Sequence, residues 1–175
     1  GEEKKEKNKI DLPDEFISLC NKNLPKTATY ALNYLTERGI TKTDVIKWKI
    51  GYCCAGAHEG RLIIPSFDDV GDLNFFVGRA YDGNWIKYRN SEASKDVIFN
   101  ELFLDFTKDI TLVEGVFDAI KAGENSIPLL GCSLRESSRL FSKIVRNKTG
   151  VYIALDTDAE RQAMKIINSL LKYDT

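Results

Sequence analysis

The stretch Ile110-Thr111-Leu112-Val113-Glu114-Gly115-Val116-Phe117-Asp118 decides how the last third of the chain folds. Its first four residues form a continuous apolar run, typical of a buried strand, and residues 116–122 then follow a helical pattern. Strand and helix alternate twice more, with strands predicted at 127–130 and 151–155 and helices at 133–146 and 159–171. This alternation predicts a parallel sheet with crossover helices, whose functional residues gather at the carboxyl ends of the strands.

The segments upstream of this region follow a different pattern. Residues 1–10 are almost all charged or polar and are predicted to form a disordered leader. Helices are then predicted to open at Pro13, at Thr27 and at Thr41 or Thr43, the second of them ending at Gly39.

A change of period after these helices predicts a small antiparallel sheet. The strand at 61–65, the turn at 68–71 and the return strand at 73–81 form the predicted hairpin, and a second turn at 82–84 leads into a strand-like segment at 85–88. We therefore predict an α/β fold in two lobes. A helical and antiparallel-sheet lobe covers residues 11–108, and a parallel-sheet lobe covers residues 109–175.

Charge and cysteine content narrow the classes of function. The 175 residues include 25 Lys and Arg against 26 Asp and Glu, which excludes a simple polycationic coat for nucleic acid. No C-x-x-C pair occurs and His58 is the lone histidine, so we expect reduced thiols rather than a zinc site at Cys20, Cys53, Cys54 and Cys132. Neither a signal peptide nor an apolar run of the ~18 residues that span a membrane is visible, which predicts a cytoplasmic protein.

Four carboxylates fall where a parallel sheet places its chemistry. Glu114 follows the strand at 110–113 directly, and Asp118 lies about one helical turn later. Asp156 and Asp158 follow the strand at 151–155 with one residue between them. Carboxylates that meet at one edge repel each other unless cations lie among them, and Mg²⁺ (or Mn²⁺) prefers oxygen ligands of this kind. Two such ions would support nucleotidyl transfer.

A structural explanation of the same acids stays open from the residues alone. Acidic residues after strands often cap helices, and Asp158 is placed where it could begin the last helix.

The pairing of these motifs resembles the Toprim domain family, which includes DnaG-type primases, topoisomerases and some nucleases. The glutamate motif of the family appears at residues 112–118 and its Asp-x-Asp motif at residues 154–159. The resemblance implies that Glu114 is the Toprim glutamate and that Glu114, Asp156 and Asp158 are metal ligands. It also implies that these three acids and Asp118 are catalytic. Asp118 matches the further acid of primases.

The middle of the chain is similar to the polymerase core of DnaG-type primases in the order and spacing of its motifs. The matching segments are Gly60-Arg61-Leu62-Ile63-Ile64-Pro65, Val77-Gly78-Arg79 and Lys87-Tyr88-Arg89-Asn90-Ser91, with Tyr34-Leu35-Thr36-Glu37-Arg38-Gly39-Ile40 upstream. The resemblance implies nucleotide or template contacts from Arg79 and Lys87 first, then from Arg61, Asn90 and Ser91. Aromatic residues interleave with these cations at Tyr81, Trp85 and Tyr88, where they are able to stack on bases.

As a whole, the resemblance implies a primase catalytic core with a C-terminally incomplete Toprim lobe. It also implies a bacterial or phage source. The implied reaction is the synthesis of short RNA primers on single-stranded DNA from ribonucleoside triphosphates, by two-metal nucleotidyl transfer, beside a replicative helicase. The chain departs from the family where Glu160 and Arg161 follow Ala159 in place of a glycine. Two alternatives stay open: a Toprim nuclease or topoisomerase-like enzyme, and a non-catalytic DNA-binding module.

Overall fold

The antiparallel sheet of the first part of the chain has four strands. The computed structural model describes residues 10–131 and 133–175, so positions 1–9 of the predicted leader and Cys132 lie outside the described residues. The strands occur in the order β1 (Ile17–Ser18), β2 (Gly51–Cys53), β3 (Arg61–Phe67) and β4 (Leu73–Ala80). The predicted hairpin is confirmed, since β3 and β4 pair from Arg61 opposite Ala80 to Phe67 opposite Leu73.

Two helices cover one face of this sheet. In α1 (Ala28–Glu37) the residue before the helix is Thr27, as predicted, but its hydroxyl hydrogen-bonds the Tyr52 hydroxyl at 2.8 Å instead of capping the helix. In α2 (Lys42–Lys47) the cap is reciprocal: Thr41 Oγ1 accepts from the Asp44 N–H, and the Asp44 carboxylate accepts from the Thr41 N–H. The apolar sides of both helices share one core with the sheet, which includes Ala31, Leu35, Val45, Leu62, Ile64, Phe75 and Val77.

The prediction of a helix that opens at Pro13 is wrong. Ile17 and Ser18 instead form the short edge strand β1, opposite Tyr52 and Gly51 of β2. The apolar residues before it pack on the other face of the sheet, where Ile10, Leu12 and Phe16 cover Cys53, Ile63 and Phe76. The need to cover that second apolar face therefore outweighed the local helical pattern.

The second sheet is parallel and has three strands in the order β6 (Ser126–Pro128), β5 (Ile110–Val113) and β7 (Val151–Ala154). The helices α3 (Val116–Ala122), α4 (Arg139–Asn147) and α5 (Glu160–Leu171) follow the three strands in chain order. β5 and α3 have the predicted bounds. The helix predicted from 133 begins later, because Ser138 caps α4 by accepting from the Phe141 N–H at 3.2 Å.

The segment predicted as a strand at 85–88 is not one. In the part of the chain that the structure describes it forms a single antiparallel bridge, between Tyr88 and Arg79 of β4. Side-chain oxygens of Asp82 and Asn84 accept from nearby backbone N–H groups, so the segment becomes a tight turn rather than a ladder.

Helix α3 joins the two halves of the molecule. It packs on β5 and β6, and its buried residues Val116, Phe117 and Ile120 belong to the core of the antiparallel sheet. A partly buried ion pair adds a second link, from Glu101 in the 3₁₀ turn Glu101–Phe103 to Lys143 of α4. Across the described ranges, every helix is too short or too polar to cross a membrane.

A glycine in β4 permits the close crossing of the 85–91 segment. A Cβ atom at Gly78 would overlap the carbonyl oxygen of Arg89, which belongs to the backbone and cannot rotate away. We expect Gly78→Ala to destabilise the fold by about 2 kcal/mol, as overpacking does, and to lower the Tm by roughly 4–8 °C. Thermal unfolding followed by circular dichroism measures this.

Gly115→Ala is the matched control. The backbone of Gly115 is extended (φ −123°) and an added Cβ would make only ordinary contact with Asp118, so its Tm should change by less than about 2 °C. Equal losses in the two variants would refute the packing argument. The backbone at position 115 thus does not require glycine.

Candidate active site

Parallel pairing of β5 and β7 brings two acidic segments to one edge of the sheet. Val113 lies opposite Ala154, so Glu114 follows one strand at the same level as the residues that follow the other. The ligand oxygens of Glu114, Asp156 and Asp158 all lie within 4.8 Å of one another. The structure therefore brings together three of the four carboxylates that were singled out in the sequence.

The backbone around Asp156 gives this cluster its shape. Asp156 is extended (φ −61°, ψ 155°), and the 3₁₀ turn Thr157–Ala159 then carries Asp158 back toward the same side. The Asp156 N–H donates to the Glu114 carboxylate at 3.1 Å, which ties the two loops together. Asp158 does not cap α5, because the residue before that helix is Ala159 and no side-chain cap bond is made there.

The neighbouring carboxylates change the pKa of Glu114. A hydrogen bond with the Asp156 side chain raises the pKa of Glu114, and partial burial and the charges of Asp156 and Asp158 raise it further. A cation bound among these carboxylates would relieve the same repulsion. Three converging carboxylate oxygens fit a hard divalent cation such as Mg²⁺ or Mn²⁺, which binds through oxygen and keeps positions for water or phosphate.

Asp118 makes its hydrogen bond outside this cluster. Its carboxylate accepts from the Gly115 N–H at 3.2 Å, the position of a helix-capping acid at the start of α3. Among the described residues, the group of acids close enough to share a cation consists of Glu114, Asp156 and Asp158. The geometry gives Asp118 a role in holding the turn after Glu114, rather than a place in the cluster.

A pair of arginines meets beside helix α3. The hydroxyl oxygen of Tyr34 accepts from Arg38 Nη1 at 2.8 Å and from Arg79 Nε at 3.0 Å. The Arg38 guanidinium lies 4.5 Å from the ring centre of Phe117, and that of Arg79 lies 4.9 Å from the ring centre of Tyr88. Their remaining N–H groups are the natural donors to a phosphate.

Charge at this pair is not balanced locally. The ion pairs found among residues 10–131 and 133–175 leave both Arg38 and Arg79 without a carboxylate partner. Two guanidinium groups on one neutral hydroxyl repel each other, and an anion bound between them would remove that repulsion. Phe117 belongs to the helix that begins just after Glu114, so the arginine pair and the acidic cluster share one structural support.

Arg61 is buried and bonded to the backbone. It is 4% exposed, and its guanidinium donates to the carbonyl oxygens of Ile86 at 2.8 Å and Lys87 at 3.2 Å. Burial lowers its pKa, and the charge of Arg89 adds to this. In the fold its guanidinium anchors the 85–88 segment, and nucleotide or template binding by Arg61 stays a prediction.

Asn90 and Ser91 also serve the backbone. The side-chain oxygen of Asn90 accepts from the Gly78 N–H at 3.2 Å, and Ser91 Oγ accepts from the Phe76 N–H at 3.1 Å. Both residues are half-buried, whereas Lys87 is exposed. Of the three cationic side chains among the five predicted nucleotide or template contacts, Lys87 is exposed, Arg79 is half-buried and Arg61 is buried.

The sequence reasoning missed Arg38 as a site residue. It lies in the quoted helical segment at 34–40, four residues after Tyr34, which places both on one side of a helix. That spacing was a usable signal. What the sequence did not reveal is that β4 brings Arg79 to the same hydroxyl.

Comparison with known proteins supports the assignment of the fold. No protein-family model matches the chain. The DNA primase of Thermotoga maritima is 27% identical over 170 residues, an alignment that takes in 86% of this chain and 30% of that protein. The chain thus spans less than a third of the curated primase that it matches.

Solved structures agree more closely in shape than in sequence. The Aquifex aeolicus primase, solved as its zinc-binding and RNA polymerase domains, matches with a TM-score of 0.67 and 20% identity over 86% of this chain and 48% of that one. A DnaG primase catalytic domain bound to single-stranded DNA matches with a TM-score of 0.69 and 17% identity over 85% of this chain and 61% of that one.

The fold, with its four-stranded antiparallel sheet and its three-stranded parallel sheet, matches that of the DnaG catalytic core. Together with the match in sequence, it makes the chain a homologue of the catalytic, or RNA polymerase, domain of DnaG primases.

Removal of the Asp118 cap should weaken the fold without removing a metal ligand. We expect Asp118→Ala to lose about 1 kcal/mol of stability. Asp118→Asn, which keeps an acceptor oxygen, should bind Mn²⁺ within about threefold of the wild type, whereas Asp156→Asn should lose roughly 10-fold or more. Calorimetric titration with Mn²⁺ measures both. If Asp118→Asn weakened binding as much as Asp156→Asn, Asp118 would be a ligand after all.

Proposed function

We propose that this chain is the nucleotidyl-transfer core of a DNA primase, which joins ribonucleotides into short RNA primers on a single-stranded DNA template. The observation that carries the proposal is the convergence of Glu114, Asp156 and Asp158 within 4.8 Å, from two separate strand ends. The homology to DnaG catalytic domains supports the same reaction class.

Divalent cations complete the proposed site. Asp156 and Asp158 would hold Mg²⁺ or Mn²⁺, with Glu114 at the third corner of the cluster. Bound there, such a cation supplies the positive charge that activates the attacking 3′-hydroxyl and stabilises the leaving pyrophosphate. Glu114 also orients Asp156 through its bond to the Asp156 N–H.

The proposed substrates are anions, and the arginine pair is the matching cationic surface. Arg38 and Arg79 would bind a phosphate of the incoming ribonucleoside triphosphate or of the template, with Lys87 as a further contact. Their positions are preset, because Tyr34 and the rings of Phe117 and Tyr88 hold the two guanidinium planes before any ligand arrives. Such preorganisation lowers the ordering cost of binding.

Two similar structures carry nucleic acid. One is a DnaG catalytic domain bound to single-stranded DNA, and another is the Mycobacterium tuberculosis DnaG RNA polymerase domain in complex with double-stranded DNA. By analogy, we propose that residues 11–108 bind template while residues 109–175 hold the cations. A replicative helicase as partner, a bacterial or phage source and a cytoplasmic location stay predictions of the sequence.

Loss of one carboxylate tests the reaction. We expect Asp156→Ala to lower template-dependent dinucleotide synthesis by roughly 100-fold or more, because metal charge contributes several kcal/mol to transition states of this kind. Glu160→Gln is the control, since it removes an exposed negative charge just beyond the cluster and should keep most of the activity. Circular dichroism checks that both variants fold. Full activity in Asp156→Ala would refute the proposed site.

Two assays on the same protein preparation distinguish primer synthesis from the two alternative functions. Cleavage of labelled single-stranded DNA with Mg²⁺ or Mn²⁺, without primer synthesis, would favour the nuclease. DNA binding without any divalent-ion binding would favour the non-catalytic module.

Neutral replacement of each arginine tests the cationic surface. We expect Arg38→Met and Arg79→Met each to weaken binding of ribonucleoside triphosphate or template by roughly 10-fold to 100-fold, as loss of hydrogen bonds to a charged group does. The KM for nucleotide and the Kd for an oligonucleotide identify which ligand is affected. Arg146→Met, at an exposed position near the end of α4, should change neither constant. Unchanged constants in both test variants would contradict the assignment.

A further inference from the structure

The loop that follows β4, residues 81–88, is held in place by a buried arginine. Arg61 is buried at 4% exposure, and its guanidinium donates to the carbonyl oxygens of Ile86 and Lys87. Burial of a guanidinium is costly unless its donors are satisfied, so this arrangement spends a strong donor set on fixing the position of two loop carbonyls. The Ala80 N–H donates to the same Lys87 carbonyl at 2.9 Å, which closes the base of the loop.

The tip of the loop is fixed by its own side chains. Asp82 accepts from the Asn84 N–H at 3.0 Å, and Asn84 accepts from the Ile86 N–H at 2.9 Å. These bonds constrain the backbone immediately before and after Trp85. The loop therefore presents its central residue from a preset backbone, with little conformational freedom left to lose on binding.

Trp85 is the residue that this loop presents. It is 87% exposed, and Ile86 and Tyr88 beside it are also exposed. The other tryptophan, Trp48, is half-buried and stacks on Phe99 with ring centres 6.4 Å apart. At this exposure Trp85 does not serve as a packing residue. An indole held in water on a rigid loop gains apolar contact only when a ligand covers it.

The charges beside Trp85 indicate the chemistry of that ligand. Lys87 is exposed, and Arg79 lies over the Tyr88 ring at the end of the loop. No ion pair involving Lys87 or Arg79 occurs within the described part of the chain. An exposed aromatic face beside unpaired cations is the combination that binds single-stranded nucleic acid, where rings stack on bases and cations contact phosphates.

We propose that Trp85 is a stacking platform for an unpaired base of single-stranded DNA, with Lys87 contacting a phosphate of the same strand. The proposal rests on the proposed function for the presence of a template. It adds a contact that lies outside the acidic cluster and the arginine pair. Stacking on an indole is tolerant of sequence because every base has an aromatic face, so it suits an enzyme that must hold many templates.

Tryptophan fluorescence with a thymidine oligonucleotide, in EDTA and without nucleotides, tests the proposal. We expect DNA to quench the emission of the wild type, while Trp85→Phe, in which Trp48 is the remaining tryptophan, should show little quenching. The affinity of Trp85→Ala should fall roughly 5-fold to 100-fold, as loss of one base stack does, and that of Trp85→Phe should stay within about threefold. Circular dichroism checks the fold of each variant.

An oligonucleotide of the same length with abasic sites separates stacking from phosphate contact. Equal quenching by the abasic strand, or equal affinity of Trp85→Ala, would overturn the proposal. So would a change of oligomeric state in Trp85→Ala, measured by sedimentation, which would assign the tryptophan to a protein interface.

Failure of this proposal is distinguishable from failure of the proposed function. DNA binding in EDTA requires no cation in the acidic cluster, so Asp156→Ala should quench like the wild type. Primer synthesis without Trp85 quenching would overturn the stacking platform alone. Trp85 quenching without any primer synthesis would overturn the proposed reaction alone.

Discussion

The parallel register between β5 and β7 is the constraint on which the rest of the site depends. Because Val113 pairs with Ala154, both strands end at the same level and release their acidic loops toward one another. A shift of one residue along either strand would turn each side chain to the other face and separate the carboxylates. The hydrophobic residues of the sheet hold this register, since Ile110 and Leu112 are fully buried in a core with Ile144 and Ile166. Apolar packing thus maintains a charge arrangement that is unfavourable by itself.

Helix α3 transmits that arrangement to the other half of the molecule. It begins two residues after Glu114, and its buried face completes the core beneath the antiparallel sheet. Phe117 of this helix also supports the Arg38 guanidinium. The anionic edge and the cationic pair therefore share one short helix as structural support.

Two arginines of similar sequence context lie in different environments in this fold. Arg61 and Arg79 both lie on paired strands of one hairpin, and sequence reasoning assigned both to substrate. Arg61 is buried against backbone carbonyls, whereas Arg79 lies on the face toward α1 and meets Tyr34. The difference depends on what crosses each strand, because the 85–88 segment passes over Arg61 and leaves Arg79 partly open. Such long-range crossings have no local signature in the sequence.

Local patterns were sufficient for much of the fold. The apolar run at 110–113, the Thr41 cap of α2 and the turn of the β3–β4 hairpin appear at their predicted places, since each depends on residues close together in the chain. The helix expected at Pro13 and the strand expected at 85–88 failed because distant residues compete for the same groups. The side chains before β1 were needed to cover a sheet face, and loop carboxylate and amide oxygens took the N–H groups of a potential ladder.

By itself, the sequence determined the alternation of strands and helices and the identity of the acids that follow two of the strands. Only the tertiary structure decided which of those acids meet, because Asp118 bonds to the Gly115 N–H while Glu114, Asp156 and Asp158 converge. It also decided that Arg38 joins Arg79, that Arg61 is buried against backbone carbonyls and that Trp85 lies in solvent. The physical reason is the same in each case: spacing along the chain sets the direction of a side chain, and the packing of distant segments sets what that side chain touches.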